Sequence, residues 1–139
     1  MIYNKERHKQ LVIRSKDLNR EEDLELTSYN VEVEEQVFWT HREKFVQIMK
    51  DFLDNVLDFD QFETAFSFLY KEVTKEVDMF TIDLEKINNF QPSTRSYRFA
   101  SLVGAIYRQF EEIEDEYCTE QEAKEYVKEC YLEFQKFEE

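Results

Sequence analysis

The stretch 97–117, YRFASLVGAIYRQFEEIEDEY, narrows what this chain can become more than any other. Phe99, Leu102, Val103, Ile106, Phe110, Ile113 and Tyr117 recur at intervals of one, three and four residues. A helix of 3.6 residues per turn gathers such positions on one face, whereas a strand would scatter them over both. The spacing predicts a core helix. Beside the stripe, Ala100 and Gly104 are small enough to admit a neighbouring helix closely. The last two turns carry Glu111, Glu112, Glu114, Asp115 and Glu116 with no basic residue among them. One end is suited to a core and the other to contact with something outside it.

The rest of the chain agrees with a helical reading. It holds one Gly and one Pro, whereas hairpins, barrels and Gly-rich nucleotide loops draw heavily on both. An all-α fold is expected. Its 139 residues suffice for a single domain whose core needs neither disulfide nor metal, and 13 Phe and 8 Tyr would fill that core with rings. The formal net charge of −14 repels nucleic acid and anionic membrane and favours a basic macromolecular partner. No apolar run approaches the roughly 18 residues a membrane span needs, and MIYNKERHKQ lacks the apolar segment of a signal peptide. A cytoplasmic location is expected. Cys118 and Cys130 are too few for a disulfide framework and have no zinc-site pattern around them.

Charge divides the chain unevenly. Residues 1–20 hold Lys5, Arg7, Lys9, Arg14, Lys16 and Arg20 against Glu6 and Asp17, a net of +4, which leaves −18 for the remainder. Such an arm can lie against the acidic body or stay mobile. From Glu21 to Glu35 the chain is acidic, and the alternation of Tyr29, Val31 and Val33 suggests extended backbone. Residues 1–33 are therefore expected as an irregular arm, partly extended or mobile, and residues 34–139 as a helical bundle domain.

Within that domain the stripe Phe38, His41, Phe45, Ile48, Met49, Phe52 and Val56 predicts a helix over 34–56. A second is predicted over 59–80, burying Phe62, Phe66, Leu69, Val73, Val77 and Phe80, with Asp58 and Gln61 spaced as a capping box. Ile82, Leu84, Ile87 and Phe90 would close one end of the core as a short helix or ordered loop, and Pro92 marks a turn before the 97–117 helix. Thr119 and Glu122 form another capping box ahead of a final helix with Ala123, Val127, Cys130, Phe134 and Phe137 on its apolar face. Four such helices on short connections predict an antiparallel four-helix bundle.

The search for chemistry returns no site. Glu111, Glu114 and Asp115 share a face, but no Glu-x-x-His motif accompanies them. His41 lies on an apolar stripe and reads as a satisfied core or boundary residue. Asp54, Asp58 and Asp60 are spaced suggestively, yet a calcium loop starting at Asp54 would have Val56 third, Phe59 sixth and Ala65 twelfth. There is no phosphate cradle and no nucleophile motif. A non-catalytic protein with no cofactor and no metal is expected.

A surface remains. If the last two helices are antiparallel neighbours, Glu111, Glu112, Glu114, Asp115 and Glu116 meet Glu120 and Glu122 around one corner, bordered by Tyr107 and Tyr117. Carboxylates there would steer a Lys/Arg-rich surface into place, and the tyrosines would add contact area. These nine residues are the predicted partner-binding set.

The segment FLDNVLDFDQFETAFSFLY, in which an aromatic helix stops, a short acidic turn intervenes and a Phe-rich helix resumes, resembles small acidic bacterial immunity proteins of the colicin D type. So does the acidic, aromatic final helix, and the resemblance runs from about Phe38 to Phe137. It implies a helical bundle that occludes the basic nuclease domain of a toxin, its carboxylates imitating RNA phosphates. The function expected is thus an acidic binding protein in an immunity or inhibitor role. The alternative is a helical adaptor or assembly subunit, in some cases a homodimer, that uses an aromatic groove.

Overall fold

The computed structural model describes residues 3–83 and 93–137, the side chains at 81 and 82 excepted. Among them are six helices and no strand: α1 (Lys5–Ile13), α2 (Arg20–Thr40), α3 (Arg42–Leu53), α4 (Phe59–Ile82), α5 (Thr94–Glu114) and α6 (Glu120–Phe137). None is long and apolar enough to cross a membrane. The expectation for Leu84, Ile87, Phe90 and Pro92 lies outside the described residues.

The expected irregular arm is helical. Asn4 caps α1 by accepting from the Arg7 amide, and Asn19 and Glu22 make a reciprocal capping box for α2. The alternation of Tyr29, Val31 and Val33 misled because Tyr29, Val33 and Val37 are also four residues apart. On α2 these three are buried while Val31 is exposed. The basic segment lies on acidic α2: the Arg7 guanidinium holds Glu25 in two bonds of 2.8 and 3.0 Å, and Arg14 reaches Glu22 at 2.7 Å. At this joint His8 and Leu11 are wholly buried.

The single helix expected over 34–56 is two. The break falls at His41, which is C-cap of α2 and N-cap of α3, with φ −101° and ψ 12°. Three contacts hold the corner. His41 Nε2 lies 2.6 Å from Glu76 on α4, Arg42 Nη1 donates to the Trp39 carbonyl at 3.1 Å, and the Arg42 guanidinium sits 4.5 Å above the Trp39 ring.

Helices α3 to α6 otherwise follow the apolar stripes closely. Asp58 and Gln61 cap α4 reciprocally, and Phe45, Phe52, Phe62, Phe66, Phe99 and Phe110 meet in the core. Phe52 stacks on Phe62 at 4.2 Å, whereas Phe66 meets Phe110 edge-on at 5.8 Å. Cys130 is a buried member of this core, and burial pushes its thiol up to about 11. Gly104 does not serve a close helix approach. A Cβ built there meets only the Arg108 side chain at 3.6 Å and the Tyr70 hydroxyl at 4.0 Å.

Candidate partner-binding groove

Helix α5 stops at Glu114, one turn before the apolar stripe predicts. Asp115 is its C-cap and Glu116 takes φ 65°. The Tyr117 amide then donates back to the Glu112 carbonyl at 2.7 Å and the Glu116 amide to Ile113 at 3.0 Å. This Schellman ending closes the carbonyls of the last turn and reverses the chain. Tyr117 consequently leaves the apolar face and is 83% exposed. Two residues later the Thr119 hydroxyl accepts from the Glu122 amide at 3.1 Å, while the Glu122 carboxylate accepts from the Thr119 amide at 3.3 Å. Helix α6 thus starts at once and folds back antiparallel along α5, where Phe134 rests on Phe99 at 4.7 Å and Glu133 pairs with Arg98 at 2.6 Å.

A groove of about 380 Å³ lies between the two helices of this hairpin. From α5 and the turn come Gln109, Glu112, Tyr117 and Cys118; from α6 come Glu122, Glu125, Tyr126 and Glu129. Among the described residues, four carboxylates and no cation line it. One effect of this field is visible. The Cys118 thiol is held above its ordinary value by burial and then by Glu122 and Glu112, which oppose a thiolate. The Tyr126 hydroxyl is pushed up to about 12 for another reason, chiefly burial and the neighbouring Cys130, with Arg108 opposing the rise. On the groove wall, the Gln109 Oε1 atom is buried and accepts no hydrogen bond.

Of the nine predicted residues, the groove brings together Glu112, Tyr117 and Glu122. Glu114 and Glu120 face the start of α4 instead, where burial first, then Asp60, Glu114 and Glu120, raise the Glu63 carboxyl. Glu111, Asp115 and Glu116 are exposed at the helix end and turn and do not line the groove. Tyr107 does not border the groove either, because it stacks on Tyr70 of α4 at 4.0 Å with the rings 4° from parallel. Glu125, Tyr126 and Glu129 also line the groove and stand outside the predicted nine. Their spacing from Glu122, of three, four and seven residues, already sets them on one face of α6.

Among the described residues no group of three or more His, Cys, Asp or Glu side chains is arranged to hold a metal ion. The chain matches no family model, no curated protein and no solved structure.

Proposed function

We propose that this chain is a non-catalytic binding protein that occludes a basic protein partner with the α5–α6 groove. The observation that carries the reading is the groove's lining: Glu112, Glu122, Glu125 and Glu129 face one space with no cation among the described residues of its walls. A Lys or Arg that enters this space can meet more than one carboxylate with charge-assisted hydrogen bonds. Tyr117 and Tyr126 offer flat surface beside the charges, the residue type that carries binding energy in many interfaces. The scaffold in this reading is an antiparallel helical bundle, and the mechanism is steric and electrostatic, with no bond made or broken.

The partner class follows from the resemblance to colicin D-type immunity proteins. The groove would cover the RNA-binding surface of a toxin nuclease, its carboxylates standing where phosphates would bind. Capture from the native cell, with recovery of the bound protein, tests both parts. The recovered protein should cleave RNA alone and lose that activity when the chain is added back. The double variant Glu112→Lys/Glu125→Lys, altered at two exposed positions, should bind it at least about tenfold more weakly. Unchanged affinity would remove the groove from the interface, and a recovered partner without nuclease activity would remove the immunity role.

A further inference from the structure

Helices α3 and α4 form a second groove, of about 540 Å³, that shares no residue with the acidic one. Ile48 and Leu69 pack against the core from this groove, and Ala65 contributes only a methyl group to its α4 wall. Beside them Phe68 stands 67% exposed. A ring left in water next to an apolar groove is a knob beside a hole of the same chemistry, and contiguous apolar surface of this kind marks a contact.

Charge tells which occupant fits. Glu43 and Lys44 lie in the groove lining, and Asp51 stands one turn beyond Gln47, which donates to it at 2.9 Å. On α4, Lys71 stands one turn beyond Phe68, and Glu72 and Lys75 cancel as a pair at 3.1 Å. In a chain of net −14, this rim therefore sets Glu43 and Asp51 against Lys44 and Lys71 and carries no net charge. A strongly basic or strongly acidic partner would meet like charge on half of it. A second copy turned about a two-fold axis brings the same balanced rim, with cations for these acids and acids for these cations. Two chains of net −14 can touch here without a surplus of like charge at the contact.

We propose that this face pairs two copies of the chain about a two-fold axis, the Phe68 ring of each seated in the α3–α4 groove of the other. Sedimentation equilibrium of the unmodified full chain, followed up to about 0.5 mM, should show the mass rise from 17.1 kDa toward twice that value and no further. The variant Phe68→Asp, altered at an exposed position, should weaken self-association at least about tenfold. Ala65→Gln, which fills the groove and leaves the ring in place, should do the same. Leu132→Asp, at an exposed apolar position of α6, should leave self-association unchanged. So should Glu112→Lys/Glu125→Lys, which separates failure of this face from failure of the acidic groove. A single 17.1 kDa species at every concentration would overturn the proposal, and that measurement needs no variant to fold. Growth beyond the dimer would overturn the two-fold arrangement. Undiminished self-association in folded Phe68→Asp and Ala65→Gln proteins would overturn the face.

Discussion

Two backbone positions with positive φ close helices in the same way, and they differ in cost. Asn55 at φ 61° follows α3, with the Val56 amide on the Asp51 carbonyl at 2.8 Å, and Glu116 at φ 65° follows α5. Asn tolerates the left-handed region and here also accepts from Lys124 of α6 at 2.7 Å. Glu116 has no such compensation, and a side chain with Cβ costs about 1 kcal/mol there relative to Gly. Glu116→Gly is expected to raise the thermal midpoint by roughly 3–5 °C for a domain of this size, and a fall would show that the Glu116 side chain holds the turn. Gly104 presents the opposite case. It lies inside α5 with room for a Cβ, so Gly104→Ala should stabilise the protein by about 1 kcal/mol in denaturant unfolding. A loss of stability would mean that Arg108 and Tyr70 cannot give way.

At the scale of elements, the α1–α2 joint is where pH acts. His8 is wholly buried, stacked on Tyr29 at 5.4 Å, with Nδ1 2.7 Å from the Tyr3 hydroxyl and Nε2 2.8 Å from Asn30 Oδ1. The neutral ring with its proton on Nε2 satisfies both: Tyr3 donates to Nδ1 and Nε2 donates to Asn30. Burial lowers the His8 pKa from its ordinary 6.5, only partly offset by the Asn30 bond. Below 6.5 the unfolded chain binds the proton that the folded joint refuses, so this contribution to stability is present above 6.5 and lost as pH falls beneath it. Glu22 and Glu25, lowered through Asn19, Arg14 and Arg7, withdraw their support only below 4.5. Glu32, Glu34 and Glu35 are raised, first by burial, and oppose the trend. A local readout separates these effects. The His8 ring signals in NMR should titrate with a midpoint below 6.5, and the Leu11 amide should lose protection as pH falls past that value. A midpoint above 6.5 would reverse the sign. The same joint shows what sequence alone could convey. Helix α4 was readable to its first residue because Asp58 and Gln61 mark its start and its apolar stripe has one period. Helix α1 was not, because only His8 and Leu11 are buried on it and its helicity rests on contacts with α2. The break at His41 carries neither Gly nor Pro, and its bond to Glu76 comes from another helix that sequence spacing does not bring there.

For the whole molecule, the surplus of acid resolves into distinct surfaces. Arg7 and Arg14 neutralise part of it within the α1–α2 joint, Glu114 and Glu120 crowd Glu63 at the start of α4, and the α5–α6 groove leaves four carboxylates facing one space. The corner was foreseeable from the turn between two acidic segments. Its division was not, because which side of α5 meets α4 is settled only by packing such as the Tyr70–Tyr107 stack. A groove lined by like charges acts at a distance and is screened by salt over about 10 Å at 0.1 M. The most direct test is the association rate of the captured basic partner, followed by stopped flow from low salt to roughly 0.5 M. Acidic recruitment predicts that the rate falls at least about tenfold while dissociation changes far less. An association rate indifferent to salt would contradict it.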